Sequence, residues 1–492
     1  MEINVKDYGA LGNGIDYTKE IQKALNEGGN IYIPKGEYLI SSPLVIYKNT
    51  HIRMDEDTIL QRSGSVTINQ QATSPELYTS GPYAIFTNGE KTDVYYDYNG
   101  NGNISISGGV IDCNGENEDT PSNGICFAHA KNIHISNITI KNVRSGHHIE
   151  INSCSLVTIE NCKFHNHHNI IVDSNKRSHS EAIQIDLAKN IQVFPLFGGW
   201  DNKPCTFVNV RECYFAETGD GVGSHACTVN SQHQSIQIED NFFYNIKYSA
   251  IKPFNWTRCN FDKNIVLNTV NGSAIEAENL YDSIISNCIL KGISGNGVKL
   301  INSNNIEVIG GEIKECKNAG VSVNTESGRI ANASGSNVKL SNISIYNGST
   351  IGINVASNNT MVMGCSVYNN GSHGLYVHDC ENSIIQGCAI KENASYGITS
   401  TVNSVSTIIK NCIFLNNGGT DVLIGGSSAG YAQKNYVSGN TFCDKKTSGY
   451  NIWVQSVSKN NVIVNNDMCM GNLTTKKKID SSSTYVSGNI EK

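Results

Sequence analysis

Several features are missing from this chain, and each absence closes off a class of function. No run of apolar residues is long enough to cross a bilayer as a helix, so a helical membrane span and membrane insertion are excluded. Positive charge is not in excess: 37 Lys and Arg stand against 44 Asp and Glu, for a net charge of −7. A nucleic-acid partner would call for a basic face. The 16 cysteines include no Cys-x-x-Cys pair, so nothing in their spacing asks for zinc or another metal. No secretory leader opens the chain, which fits a cytosolic product, a virion protein released by lysis, or a chain parted from its leader. No helical segments separate the strands described next, and no coiled coil or separate trimerisation segment is visible.

What is present is a repeat. A small residue followed by an aliphatic recurs at Gly124-Ile125, Ala182-Ile183, Gly221-Val222, Ala250-Ile251, Ala274-Ile275, Gly297-Val298, Gly320-Val321, Gly352-Ile353, Gly374-Leu375 and Gly397-Ile398. His148-Ile149 and Asp421-Val422 fit with a substituted first position. Many steps are 22 to 24 residues, with longer ones of 29 to 39, the mark of a stacked solenoid with loops inserted in some coils. Between these marks lie short alternating runs, among them VTIENCKF, VNVRECYF, IQIEDNFF and TIIKNCIF, which read as strands. The fold class expected is therefore all-β, a parallel β-helix. Ahead of it, Asp16 is placed to cap a helix over Tyr17–Asn26, whose Ile21, Ala24 and Leu25 would cover the open end of the stack. The boundaries read as a cap with the first coils over 1–60, the β-helix over 61–465, and the last coil and tail over 466–492. Residues 64–103 break the pattern and read as an excursion. Cys162, Cys213, Cys288, Cys365, Cys388 and Cys412 hold one place in successive repeats, with Asn241, Asn264 and Asn440 holding it in others. A ladder of buried thiols and turn asparagines explains this better than disulfides.

Stacked coils place equivalent residues about 4.8 Å apart. If each aliphatic points inward, its successor points outward. One column is then Glu150, Gln184, Gly223, Lys252 and Glu276. A second holds Asn152, Asp186, His225, Phe254 and Glu278, and a third His147, Glu181, Asp220, Ser249 and Ser273. Ionisable residues crowd the coils from 147 to 278 on what should be an exposed face. Insertions at 165–180, 189–205 and 227–234 border them, and loops on a rigid scaffold are where binding function concentrates.

The opening Asp7-Tyr8-Gly9-Ala10, Gly12-Asn13-Gly14, Ile21-Gln22-Lys23-Ala24-Leu25, Gly28-Gly29 and Pro34-Lys35-Gly36-Glu37-Tyr38 resembles that of the pectate-lyase-like superfamily. It departs from the pattern at Asn13 and at Ile15-Asp16-Tyr17. The resemblance implies a right-handed β-helix and leaves function open, because hydrolases, lyases, epimerases and tail spikes share the fold. The block from Glu181–Asp186 to Gly219–His225 and Ala250–Trp256 resembles β-helix proteins of Gram-positive bacteria and their phages, including tail-spike and cell-wall glycopolymer depolymerases. That implies a polysaccharide or cell-wall glycopolymer as partner, an extracellular or virion location, and, as for many tail spikes, a homotrimer.

Glu181 and Asp220 share a column on consecutive coils. Carboxylates that close cannot both ionise easily, which splits them into acid and base at a spacing that suits a retaining glycosidase. Asp186 supplies the wider spacing of an inverting one. Asp186 and His225 also share a column, and a carboxylate beside an imidazole fixes its tautomer and raises its pKa. The catalytic candidates are thus Glu181, Asp186, Asp220 and His225, and the plain alternatives are turn caps and a surface ion pair. His147, Glu150, Gln184, Lys252, Trp256, Glu276 and Trp200 are candidate substrate contacts, with Lys252 facing an anionic group and the tryptophans stacking on sugar faces or simply packing. Ala250-Ile251-Lys252 is only partly similar to the Arg-Ile-Lys of polygalacturonases, and their paired aspartates are missing, which speaks against pectin. His165, His167, His168 and His179 lack the spacing of a metal site, and no cofactor is called for. The expectation is a polysaccharide depolymerase acting by hydrolysis, with a uronate-cleaving lyase and a non-catalytic glycan-binding spike or adhesin as the rivals.

Overall fold

The computed structural model describes residues 2–64, 83–118, 120–168, 181–191, 193–427, 430–446, 448–469, 472–473 and 475–491. His179 and most of the 165–180 insertion lie outside the described residues. The chain forms two compact units, Met1–Asn260 and Phe261–Lys492.

In the first unit each repeat contributes a coil of parallel strands. Asn123–Ala128 pairs with Ile149–Asn152, then Glu181–Asp186, then Asp220–Gly223, then Ile251–Lys252. This register puts Ile125, Ile149, Ile183, Val222 and Ile251 in one fully buried row, the row the repeat predicts. The alternating runs prove to be two strands each. VTIENCKF bends at Asn161, φ 52°, between Ser155–Glu160 and Lys163–His168. Glu212 and Asp240 turn the same corner at 54° and 53°. Left-handed backbone suits Asn and Asp and strains most other residues, so Glu212 hides a corner that Asn161 and Asp240 advertise. Beyond the corner, Phe164, Phe215 and Phe243 are in register and stack with centroids 4.9 and 4.5 Å apart. The coil therefore has three faces rather than two.

Cys162 and Cys213 sit buried at this corner, each thiol 3.2 Å from the carbonyl two residues earlier. Asn241 takes the same place one coil on. Its Oδ1 accepts from the Cys213 N–H and its Nδ2 donates to the Val210 carbonyl, both at 2.9 Å. Residues 64–103 are not wholly an excursion, since Ala84–Thr87 forms a coil strand in register with Asn123–Ala128. The alternation there was too short to be seen against the aromatic residues around it.

The helix runs over Thr18–Glu27 and buries Ile21, Ala24 and Leu25 completely. Asp16 lies one residue before the helix cap, and its Oδ1 accepts from the Thr18 N–H at 3.0 Å. Gln22 closes the edge of the strand Leu44–Val45. Its amide nitrogen donates to the Val45 carbonyl at 3.0 Å, and its oxygen accepts from the Val45 N–H at 2.8 Å. One side-chain amide thus replaces the neighbouring strand that this edge lacks.

The second unit repeats the plan. Ile275, Val298, Val321, Ile353, Leu375, Ile398, Val422 and Ile452 form one buried row. Cys365, Cys388 and Cys412 are buried in the corner position, and Asn440 accepts from the Cys412 N–H at 2.9 Å. None of the 16 cysteines is in a disulfide.

Candidate active site

The strand Glu181–Asp186 is buried along its whole length although half its residues are polar. The pairing places Cys126, Glu150, Gln184, Gly223 and Lys252 in one row, Asn152 beside Asp186, and Glu181 beside Asp220. These are the rows the repeat predicts, but they do not face solvent. Glu150, Glu181, Gln184, Asp186 and Asp220 are each at most 1% exposed. Alternation tells which way a side chain leaves the sheet and not what meets it there. Part of the cover is the 189–205 insertion, whose Phe194, Leu196 and Phe197 pack on Ala84, Cys126 and Ala128, flanked by Tyr83 and Tyr95.

Burial settles Glu150 first. It accepts from Asn123 Nδ2 at 2.6 Å, Asn152 Nδ2 at 2.8 Å and the Cys126 thiol at 3.0 Å. Asn123 Oδ1 in turn accepts from the His147 N–H at 2.6 Å. Glu150 is the hub of this network, which corrects its expected place as a substrate contact. The repeat puts Cys126, the successor of Ile125, in the row of Glu150, whereas Asn123 carried no mark of its role.

The centre of the site is His225. Its Nδ1 lies 3.4 Å from Glu181 Oε2 and 3.6 Å from Asp186 Oδ2. Asp186 also accepts from Gln184 Nε2 at 2.6 Å and from the Ala226 N–H at 2.9 and 3.0 Å. The ring of His147 stacks on that of His225 with centroids 6.0 Å apart, and its Nδ1 lies 2.9 Å from the Glu181 carbonyl oxygen. Gly223 makes room for this: a Cβ there would meet Glu181 Cγ at 3.2 Å and the Lys252 carbonyl oxygen at 2.9 Å. Asp220 faces the other way, accepting from the Ser249 N–H at 2.8 Å and lying 3.7 Å from Lys252 Nζ. The imidazole therefore joins Glu181 to Asp186, one of the pairings the sequence offered, while Asp220 stands beside Glu181 in register and pairs with Lys252.

Electrostatics follow from burial and charge together. Burial favours the neutral form of Asp186 more than His225 and Gln184 favour the charged one, so its carboxyl is pushed up to about 6. Burial opposes charge on His225, but Asp186 and Glu181 outweigh it and raise the imidazole to about 9. Burial lowers His147 despite the neighbouring carboxylates. At neutral pH the stacked pair is one imidazolium and one neutral ring. The groups that reach solvent are His225, Lys252 and His147, with side chains 21%, 11% and 9% exposed. Two buried acceptors beside them, Gln184 Oε1 and Asn152 Oδ1, have no hydrogen-bond partner.

Other expectations fall away from this centre. Trp256 is fully buried, donating from Nε1 to Ser224 Oγ at 2.6 Å, while Ser224 donates to the Ile185 carbonyl at 2.6 Å. Both are packing residues, so Trp256 does not stack on a ligand. Trp200 is 37% exposed on its loop, with its indole N–H on the Phe194 carbonyl at 3.2 Å. Glu276 belongs to the second unit, half-buried on Ile275–Ser286. His167 is buried against the Gly146 carbonyl at 3.1 Å, and among the described residues no three His, Cys, Asp or Glu side chains are grouped to hold a metal.

Residues 2–192 match the family described as rhamnogalacturonase A/epimerase, pectate lyase-like, and residues 328–442 match the right-handed β-helix region family. The plasmin and fibronectin-binding protein A of Streptococcus pneumoniae is 28% identical over 279 residues, 51% of this chain and 37% of that protein. Mannuronan C5-epimerase AlgE2 of Azotobacter vinelandii is 43% identical over 65 residues, 11% of this chain and 6% of the epimerase. This chain thus spans well under two thirds of either relative. The crystal structure of PfbA, a surface adhesin of S. pneumoniae, superposes with a TM-score of 0.55 at 19% identity, covering 88% of this chain and 93% of that one. The chain folds as a right-handed parallel β-helix, and its residues 2–192 are similar to the pectate-lyase-like family.

Proposed function

We propose that this chain cleaves a bacterial surface or extracellular polysaccharide by hydrolysis, with His225 presenting the proton. The observation that carries the reading is one imidazole, partly exposed, whose buried Nδ1 lies within 3.6 Å of two buried carboxylates. The imidazolium donates its proton to the departing glycosidic oxygen as the C–O bond breaks. The oxygen of water bonds to the anomeric carbon, and the proton that water loses returns to the Glu181–His225–Asp186 group. A donor held near 9 stays loaded through neutral pH, and Asp186 near 6 is matched to accept at the same pH. Lys252 and His147 would position the sugar at the rim. Such a protein would work outside the cell or on a virion.

A second reading is adhesion without turnover, favoured by the match to a plasmin and fibronectin-binding protein over half of this chain. Incubating the purified chain with a panel of bacterial polysaccharides in oxygen-18 water, followed by mass spectrometry, separates the readings. Hydrolysis puts one heavy oxygen at each new reducing end. An ultraviolet-absorbing unsaturated end without heavy oxygen would replace it with elimination. Binding with no product on any polymer would leave adhesion.

A further inference from the structure

The second unit carries a tract of rings that the site around His225 does not use. Strand register places Lys299, Ser322, Asn354, Tyr376, Thr399, Leu423, Trp453 and Lys478 in one outward row. Around Tyr376 the rings touch one another. His373 and Tyr376 have centroids 5.7 Å apart, Tyr376 and His378 4.7 Å, and His373 stacks on Tyr396 of the next coil at 5.3 Å. All four are half-buried, so each keeps part of its surface in water.

Their polar edges are held in place. His378 Nε2 lies 3.1 Å from Asn354 Oδ1 and its Nδ1 2.9 Å from Asp379. Asn354 in turn donates to Asn324 Oδ1 at 3.0 Å. Two coils beyond Tyr396, Trp453 is fixed by its indole N–H on Asp480 at 2.9 Å, with Tyr450 at 6.0 Å. The lysines of the row are neutralised by neighbours: Lys299 pairs with Glu326 at 3.0 Å and Lys478 with Asp480 at 3.4 Å.

We propose that this tract is a carbohydrate-binding surface for the uncharged faces of pyranose rings in a linear glycan. Three observations choose this occupant. The rings are tyrosine, histidine and tryptophan, which offer an apolar face and a polar edge together, as a sugar does. The apolar residue of the row, Leu423, is buried, so the tract lacks the exposed aliphatic patch that a protein partner would cover. The neutralised lysines leave no net field to select an anion. The rows also repeat at the ~4.8 Å strand spacing, close to the advance per residue of an extended glycan, so successive sugars meet successive coils. The proposal does not depend on cleavage in the first unit.

The test is a microarray of bacterial polysaccharides and neutral oligosaccharides, probed with the full chain, with affinities for the hits measured by calorimetry. Tyr376→Ala and Tyr396→Ala should each weaken binding about tenfold, the scale of one lost ring contact, without lowering the melting temperature. Tyr376→Phe should keep most of it. An Asp186→Asn/His225→Ala variant, incapable of the chemistry proposed above, should still bind the same glycans. Parental affinity in the Tyr376→Ala/Tyr396→Ala double variant would overturn the proposal, as would a parent that binds no neutral glycan on the array.

Discussion

Replacing Asp186 by Asn removes one of the two charges that hold His225 protonated, and the size of the effect follows from geometry. A unit charge 3.6 Å away interacts with the imidazolium by about 4–5 kcal/mol at an effective dielectric near 20. At 1.36 kcal/mol per pKa unit that is a ceiling of about 3 units. Glu181 remains at 3.4 Å, and the asparagine carbonyl can still accept a hydrogen bond, so a fall of about 2 units is expected. His225 should then titrate close to neutrality instead of near 9. Glu181→Gln should act in the same direction. With both carboxylates gone, only the more distant charge of Glu150 opposes burial, and the ring should titrate lower still. The assay is an NMR titration of the chain labelled at histidine Cε1, with the resonance assigned by its loss in His225→Gln. The 13 histidines make this tractable. Activity on a cleaved substrate should fall about tenfold near pH 8 from loss of the donor form alone, and the loss of Asp186 as acceptor should deepen the fall towards about 10²–10⁴-fold. The same change should lower stability by about 2–4 kcal/mol, because Asp186 is fully buried and the pair is broken from one side. An imidazole that still titrates near 9 in Asp186→Asn would refute the electrostatic account, and with it the role given to His225.

His225 also sets a pH dependence of stability. Its folded-state pKa is raised, so its contribution is complete below about 6.5 and is lost as pH rises through about 9. Asp186, raised to about 6, destabilises increasingly between its unfolded-state value and that pH, and is constant above it. From pH 6.5 to 9 the parent should lose about 3 kcal/mol more than His225→Gln in parallel denaturation experiments, and equal slopes would contradict this. Gly223→Ala should push Glu181 aside, costing about 1–3 kcal/mol and abolishing turnover, as crystallography and assay would show. Lys446→Met should destabilise the second unit by about 3–5 kcal/mol, since Asp421 and Asp444 then share a buried site without their cation, and hydrogen exchange at those coils reads it. Thiol titration in denaturant should find Cys162, Cys213, Cys288, Cys365, Cys388 and Cys412 reactive without prior reduction.

Register was legible in the sequence because it is written locally. A small residue before an aliphatic, repeated at steps of 22 to 24 positions with longer ones of 29 to 39, determines which residues stack, and the aliphatic row and the row from Glu150 to Lys252 are paired that way in the first unit. The corner at Glu212 was not legible, because a glutamate with φ 54° leaves no local mark of its turn. Burial was not legible either. Whether a residue of this row meets water depends on packing that alternation does not encode; at Cys126 it is supplied by Phe194, Leu196 and Phe197. Residues read as a solvated acidic column are therefore a desolvated one. That changes the chemistry, since carboxylates in water would neither raise His225 to about 9 nor rise to about 6 themselves.

Burial of charge is not by itself a sign of catalysis in this fold, because the second unit buries charge too. Asp421 and Asp444 are fully buried around Lys446, and desolvation together with Asp444 raises Asp421 well above the usual carboxylate range. There the ammonium has three close acceptors, the Gly419 carbonyl at 2.7 Å, the Asn417 carbonyl at 3.0 Å and Asp421 Oδ1 at 3.1 Å. A lysine has three N–H bonds to give, so the ammonium is fully partnered within the chain and holds coils together. Around His225 the carboxylates stand further off, at 3.4 and 3.6 Å, and the ring is partly open to solvent. A closed cluster has no proton to lend at moderate cost. A loose one, with a donor near 9 beside an acceptor near 6, can pass a proton outward and take it back. That difference in closure, more than the presence of carboxylates, marks the first unit as the place to look for chemistry.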